Sequence, residues 1–359
     1  MSIKQVYYNI DNILKENALI NLIYGEKSNG KSYQVKHKLA VLHYIKTKKR
    51  FIILRRWQAD ISSVWCEKYF SDVDVPTLTD NEYEFISVYR KKLYFSKLIN
   101  DKVVRGEQIG YVIALSGEQH YSSASFLDVD IIIFEEFMER GSYLPREPSR
   151  LMIFYSTVDR KRGTTKMFLV GNTISRVCPY LTDWNLLDTI RQMKQGEIKK
   201  INFQNDDTTV SLAIEYCRDS GGKKLAIGDA KSMIDSGSWQ TTPQPKLPKS
   251  KKEYDVKYRI GFLYKGFKFL AELLQDKITK DIIWFIMPYN KDFKDNILIF
   301  SDVVKPNINY QRDIYQVSFR RENKRLQELL DTFRENCIFY SDDLTGTDFK
   351  TAIDFVIKK

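Results

Sequence analysis

Gly25-Glu26-Lys27-Ser28-Asn29-Gly30-Lys31-Ser32 fits the pattern G-x-x-x-x-G-K-[ST] without a mismatch. Polyphosphate binding demands this spacing. The chain must wrap phosphate oxygens with backbone N–H groups turned inward, and glycines reach dihedrals that other residues resist. A helix starting at the end of the loop presents its N-terminus to the anion. Lys31 would reach the β- and γ-phosphates, and the Ser32 hydroxyl would ligate Mg²⁺. ATP with Mg²⁺ is therefore the expected ligand, with Gly25, Lys27, Ser28, Asn29, Gly30, Lys31 and Ser32 as the binding loop. The context agrees: the apolar run 18–24 precedes the loop, and a helical pattern through Val35, Leu39, Leu42 and Ile45 follows it.

A second constellation closes the apolar run Ile131-Ile132-Ile133-Phe134 with Glu135 and Glu136. A buried strand ending in two carboxylates is the Walker B arrangement, in which the first acid holds the metal and the second polarises the attacking water. Ser32 and Glu135 are thus the expected metal pair and Glu136 the expected catalytic base. Asp is usual at the first position, and Glu135 is one methylene longer. Phe168-Leu169-Val170-Gly171-Asn172-Thr173 puts Asn172 at the tip of a further strand, where motor ATPases carry a polar residue that senses the γ-phosphate. Arg160-Lys161-Arg162 is a basic knot. A ring ATPase needs an arginine donated across subunits to neutralise transition-state charge. Arg160 is the first candidate and Arg162 the second.

The elements that position these groups are short continuous apolar strands alternating with helices, which predicts a parallel α/β sheet covered on both faces. Strands are expected at 18–24, 51–54, 110–115, 129–134 and 167–171, a helix at 148–158, and a hairpin at 83–95 around the basic turn Arg90-Lys91-Lys92. Residues 184–247 are polar and mixed, and QTTPQPKLPKSKK (240–252) reads as a linker or exposed loop. Beyond it, 256–300 alternates like a β-meander and 320–334 is amphipathic and helical. The expected organisation is a P-loop ATPase domain at 1–205, a linker or small subdomain at 206–250, and a smaller α+β domain at 251–359.

Composition narrows the class. The 359 residues suggest about two domains. Hydrophobic residues at 43% and charged residues at 29% exclude disorder as a class. The longest apolar runs are strand-sized, so no membrane span is expected, and MSIKQVYYNIDN lacks the apolar core of a secretion signal. Cys66, Cys178, Cys217 and Cys337 are far apart and only three histidines occur, which excludes a zinc or disulfide framework and points to a reducing cytoplasm. The net charge of +11 favours a polyanionic partner. Ten Lys/Arg and no acid lie between Lys27 and Ala59. Apart from Lys27 and Lys31 these cations face either a phosphate backbone or, around Lys46 to Arg50, solvent along a helix.

Taken together, GEKSNGKS, FIILRRW, RKKLYF, IIIFEEFM, STVDRKRG, FLVGNTISRVCPY and IGFLYKGFKFL resemble the DNA-packaging ATPases of small phi29-like tailed phages, relatives of terminase large subunits. The ordered set FEEF followed by N-x-x-S-x-x-x-P-Y is more specific than the P-loop alone. The resemblance implies a RecA-like (ASCE) P-loop domain joined to a small RNase H-like C-terminal domain. It implies a homo-oligomeric, pentameric ring in the host cytoplasm that docks transiently at the portal vertex of an empty capsid and pumps double-stranded DNA inward. Some members add a structural packaging RNA. By motif match it assigns Lys31 and Ser32 to nucleotide and Mg²⁺, Glu135 and Glu136 to the Walker B acids, Asn172 to coupling, Arg160 to a trans finger, and Lys27 to the extra P-loop cation. Two alternatives stand beside the translocase: a terminase-type motor with an active metal-dependent nuclease, and a P-loop ATPase regulator that does not move DNA. Two-metal cleavage needs three or four converging carboxylates. KYRIGFLY carries no acid, and Glu272, Asp276 and Asp281 are expected as solvated acids at strand ends or turns, so the tail reads as nuclease-like but inactive.

Overall fold

The computed structural model describes residues 7–139, 143–205, 208–221, 234, 237–293, 297–304, 311–315 and 323–357. Two units emerge. The first takes in the described residues up to Ile174 and those from Gln192 to Ser238; the second takes in Ser175–Arg191 and those from Trp239 onwards. Among the described residues no helix is long and apolar enough to cross a membrane.

The first unit is built on a nine-stranded sheet. Its strands are β1 (Ile20–Gly25), β2 (Arg50–Arg55), β3 (Phe85–Tyr89), β4 (Lys92–Ile99), β5 (Lys102–Ala114), β6 (Val129–Glu135), β7 (Lys166–Asn172), β8 (Ile198–Asn205) and β9 (Thr208–Tyr216). Their order is β3-β4-β5-β2-β6-β7-β1-β9-β8. The pairs β5–β2, β2–β6, β6–β7, β7–β1 and β1–β9 are parallel, while β3–β4, β4–β5 and β8–β9 are antiparallel edges. All six residues of β1 are buried, as parallel strands covered on both faces require. The phosphate-loop strand β1 and the acidic strand β6 are not neighbours, because β7 lies between them. The ends of the three strands nonetheless come level: Gly25 pairs with Asn172, and Glu135 with Val170.

Helices cover this sheet. α1 (residues 31–47) starts at the phosphate loop and buries Val35, Leu39, Ala40, Val41 and Tyr44 in one cluster with Phe51, Ile53 and Ile133. Its middle, Val35–Leu42, is wound as a π-helix. α2 (Ser63–Phe70) is capped by the Ser62 hydroxyl, which accepts the Trp65 N–H at 3.0 Å. α3 (Glu147–Asp159) buries Leu151, Phe154 and Val158.

The region 206–250 differs from its reading as a linker or small subdomain. It contains β9, which pairs with β1 and extends the large sheet, one strand in from its edge. Only the second half of β9 is buried, so its first residues carry no apolar signal. The run 240–252 is stitched down by polar groups, with Leu247 packed against the cluster of Tyr254, Leu274 and Phe285. Gln244 N–H donates to Asp343 Oδ1 at 3.0 Å, Thr242 N–H to Thr347 Oγ1 at 3.0 Å, and Tyr340 N–H to the Pro245 carbonyl at 2.8 Å. Residues 206–207, 222–233 and 235–236 of that region lie outside the described residues.

At the end of β9, Glu215 is 6% exposed and accepts the Tyr8 hydroxyl at 2.7 Å. Burial pushes its pKa up from 4.5 to about 7. The unfolded chain releases this proton near pH 4.5 and the folded chain keeps it to about pH 7, so this group's contribution to stability falls as pH rises through that window. The loss amounts to about 3 kcal/mol above pH 7. Glu215→Gln should therefore lose less thermal stability than the parent between pH 5 and pH 8. Identical losses in melting temperature would show that the carboxyl titrates normally.

The second unit holds a six-stranded sheet of β10 (Tyr254–Tyr264), β11 (Phe267–Asp276), β12 (Ile282–Pro288), β13 (Leu298–Ser301), β14 (Gln311–Asp313) and β15 (Ile338–Tyr340), in the order β14-β13-β10-β11-β12-β15. β10, β11 and β12 form an antiparallel meander; β13 runs parallel to β10, β14 to β13, and β15 to β12. Two helices flank β15, α4 (Lys324–Arg334) before it and α5 (Asp343–Ile357) after it. Phe349 of α5 packs against Phe262, Phe269 and Phe333 with ring centroids 5.4, 5.3 and 6.1 Å away.

Glu272 is a correction to the reading of that tail. It lies inside β11 at 2% exposure, ion-paired with Arg259 at 2.9 Å and with Lys251. A mid-strand carboxylate taken out of water needs such partners. Asp276 ends β11, accepts the Ile278 and Thr279 N–H groups at 2.8 and 3.0 Å, and pairs with Lys249. The Lys249 ammonium and those N–H bonds pull its pKa down to about 2. Asp281 lies at the following turn and accepts the Thr279 hydroxyl.

Candidate active site

The phosphate loop follows directly from β1. Gly25 has φ +157°, and a Cβ there would come within 2.9 Å of the Cys217 Cβ. Ser28 (φ 65°) and Gly30 (φ 94°) are both left-handed, which turns the chain back on itself before α1 begins at Lys31. Glu26 anchors the turn from behind. Its carboxylate accepts the Ser220 N–H at 2.8 Å and the Ser220 hydroxyl at 3.1 Å. Asn29, buried in the loop, accepts the Lys31 N–H at 3.2 Å.

The Lys31 ammonium donates to the Glu26 carbonyl, to Asn29 Oδ1 at 3.1 Å and to Asn172 Oδ1 at 3.3 Å. Burial lowers its pKa, and the carboxylates of Glu135 and Glu26 act against that shift. Asn172 is therefore placed against the loop lysine by the Gly25–Asn172 register of β1 and β7.

Glu135 is buried at the end of β6. One oxygen accepts the Ser32 hydroxyl at 3.2 Å and the other the Tyr69 hydroxyl at 2.6 Å. Burial raises its pKa, and the Tyr69 and Ser32 hydrogen bonds act against the shift. Tyr69 bears on the extra methylene of Glu135, since it fixes one oxygen and leaves the other on Ser32. The donor set fits Mg²⁺: two hard oxygens side by side suit an ion that keeps several waters and takes phosphate oxygens for the rest. Among the described residues no group of three or more His, Cys, Asp or Glu could hold a metal by itself.

Glu136 has a left-handed backbone, φ 59°, and a side chain 64% exposed. A non-glycine residue held there is strained and is worth attention at a functional site. Its carboxylate pairs with Arg55 of β2 at 2.8 Å, and Arg55 lies over the Trp65 ring at 5.2 Å. The neighbouring Arg56, 3% exposed, ion-pairs with Glu147 and Glu139 and donates to the Glu136 and Phe137 carbonyls at 3.2 and 2.9 Å. That network holds the turn after β6 in place.

Lys27 to Ser32, Glu135, Glu136 and Asn172 line one cleft of about 360 Å³ at the carboxyl ends of β1, β6 and β7, where open parallel sheets bind ligands. Lys36 and Asp72 share it, paired at 2.6 Å. Two neighbours of the cleft escaped the sequence reading, Tyr69 and Asp72, and two more, Lys36 and Arg55, were read only as part of the basic stretch. The one available signal was the i, i+4 spacing of Ser32 and Lys36 on a helix beginning at the loop.

The basic stretch also differs from expectation. Of the eight cations between Lys36 and Arg56 assigned to phosphate or solvent, six are ion-paired within the unit: Lys36–Asp72, Lys38–Asp11, Lys48–Glu107, Arg50–Asp128, Arg55–Glu136 and Arg56–Glu147. The two arginine candidates also separate. Arg162 donates to the carbonyls of Leu127, Val129 and Val158 at 3.0, 2.8 and 2.9 Å, which is a structural role. Arg160 is exposed, with one bond at 2.7 Å to the Ala124 carbonyl. It follows α3 and precedes the amino end of β7, so it stands away from its own cleft at the carboxyl end.

Residues 2–223 match the family profile described as podovirus DNA encapsidation protein (Gp16). The chain is 26% identical to the DNA packaging protein of Bacillus phage phi29 over 271 residues, which span 74% of each chain. Its fold is similar to a chain of the bacteriophage Phi-29 viral genome packaging motor assembly (TM-score 0.57, 20% identity, 98% of this chain and 99% of that one). It is similar also to the Phi-28 gp11 DNA packaging motor (TM-score 0.51, 15% identity, 98% of each chain).

Proposed function

The chain belongs to the podovirus DNA encapsidation protein family, a family of viral DNA packaging proteins, and we propose that it works there as an ATP-hydrolysing motor subunit that translocates double-stranded DNA into a preformed capsid. One observation carries this reading: Lys31, Ser32, Glu135, Glu136 and Asn172, from three separate strand ends, converge on one cleft. Lys31 and the loop N–H groups bind the ATP phosphates. Ser32 and Glu135 would hold Mg²⁺, whose chemistry when bound is to screen the phosphate charge. Glu136 orients and deprotonates the attacking water, and Asn172, on Lys31, senses the γ-phosphate. The placement of β7 between the loop strand and the acidic strand supports the RecA-like, ASCE assignment.

The exposure of Arg160 outside its own cleft supports a finger donated to a neighbouring subunit, and hence a homo-oligomeric ring. We read the ring as pentameric and docked at the capsid portal vertex in the host cytoplasm, with a packaging RNA as a further partner. The second unit, with three antiparallel strands continued by two parallel ones at the β10 edge, supports an RNase H-like reading. The engagement of Glu272 by Arg259 and Lys251 supports its inactivity as a nuclease.

The test is ATP hydrolysis by the full chain with and without duplex DNA across a salt series. DNA should stimulate turnover, and salt should erase the stimulation. No stimulation by DNA would leave a P-loop ATPase that does not translocate. The same protein with Mn²⁺ should leave supercoiled plasmid intact; nicking would establish the nuclease alternative.

A further inference from the structure

The charge that the helix stretch does not offer to a partner reappears at the edge of the large sheet. The β3–β4 turn carries Arg90 and Lys91, and β4 opens with Lys92. All three are exposed, as is Arg105 of β5. The ring of Tyr89 brings two of them together, with the Arg105 guanidinium 4.7 Å and the Arg90 guanidinium 5.2 Å from its centroid. Lys91 donates to the Tyr121 hydroxyl at 3.2 Å. None of the four cations pairs with a described acid. The acids of this meander are engaged or distant: Glu107 is held by Lys48 and Tyr44, Glu84 accepts the Leu98 N–H, and Asp101 stands at the opposite turn of β4.

Four like charges crowded without a counter-charge raise the local potential and bind counterions from solution. Phosphate groups would replace those ions with a gain in entropy. The cation–π contacts hold two guanidiniums in place beforehand, so less side-chain freedom is lost on binding. A short turn on an edge meander is also free to reach a backbone without displacing packed elements.

We propose that the β3–β4 turn, together with Arg105, grips the phosphate backbone of duplex DNA. The inference rests on the packaging reading above and names the element of that motor which holds its substrate. The contacts are to phosphate, so the grip is sequence-independent, as a protein that moves along a whole genome requires.

The full chain is titrated onto a labelled random-sequence DNA duplex, and onto an RNA duplex of equal length, between about 50 and 200 mM salt. The variant Arg90→Ala/Lys91→Ala/Lys92→Ala/Arg105→Ala should bind DNA about tenfold or more weakly at 0.1 M salt, with a log–log salt slope shallower by about two to three. All four side chains are exposed, so its thermal melt and ATP binding should be unchanged. A charge-matched comparison separates a local grip from net charge: Lys91→Ala/Lys92→Ala should lose more affinity than Lys46→Ala/Lys49→Ala. Equal losses in that pair would overturn the proposal, as would a quadruple variant that binds DNA like the parent, or one that loses only the RNA duplex. A parent chain that binds no duplex at all would instead remove the packaging reading, and the grip with it.

Discussion

Lys31→Ala should cripple ATP binding, with a loss of roughly 10²- to 10⁴-fold in affinity. The ammonium makes charge-assisted hydrogen bonds, each worth about 1.5–3 kcal/mol, and a loop lysine contributes about two of them to the β- and γ-phosphates. It is 4% exposed and held on oxygens of Glu26, Asn29 and Asn172. These are weak, neutral acceptors that phosphate oxygens can replace. Burial alone would favour the neutral amine, and the Glu135 and Glu26 carboxylates keep the positive form accessible. The alanine variant loses the charge but not the loop, because Gly25, Ser28 and Gly30 set the turn through their backbones. A non-hydrolysable ATP analogue should therefore raise the melting temperature of the parent and leave that of Lys31→Ala unmoved. Equal shifts in the two proteins would show that the loop does not bind phosphate.

The core of the first unit was legible because its signals are local. β6 is a continuous apolar run ending in two acids, and the loop after β1 has a spacing that few folds use for anything else. What the sequence could not convey was partnership. Arg55 and Arg56 are adjacent and chemically alike, yet Arg55 sits on the Glu136 carboxylate while Arg56 is buried under the turn that carries it. Arg160 and Arg162 show the same split: one is exposed, the other locked on three carbonyls. A strand also hides when half of it is exposed. β9 begins Thr208-Thr209 and becomes apolar only where it meets β1. Glu272 misleads for the converse reason, since a charged letter in a strand gives no sign that Arg259 lies opposite it in the β10–β11 register. Charge counted along the chain therefore singles out the stretch from Lys27 to Ala59, whereas charge counted after pairing leaves the exposed cations of the β3–β4 turn without a described acid opposite them.

Glu136→Gln should bind ATP as the parent does and lose turnover by about 10²- to 10⁴-fold, the range of a general base. The amide keeps the shape of the side chain and retains an oxygen for Arg55, but it cannot take a proton from water. Glu135 cannot stand in, because it is buried with its two oxygens already on Ser32 and Tyr69. Glu136, by contrast, is exposed, held by a single ion pair and set on a strained backbone, so swinging onto a bound substrate costs it little packing. The same variant tests the finger. Arg160→Ala removes the donated charge but leaves its own cleft complete, while Glu136→Gln has an incomplete cleft and an intact finger. In a mixed ring, an Arg160→Ala cleft facing a Glu136→Gln neighbour has both groups again. Mixtures of the two dead proteins should therefore regain measurable ATP hydrolysis, greatest near equal proportions. Mixtures as inert as either component would place the catalytic arginine elsewhere, and normal turnover by Glu136→Gln alone would remove Glu136 from the chemistry.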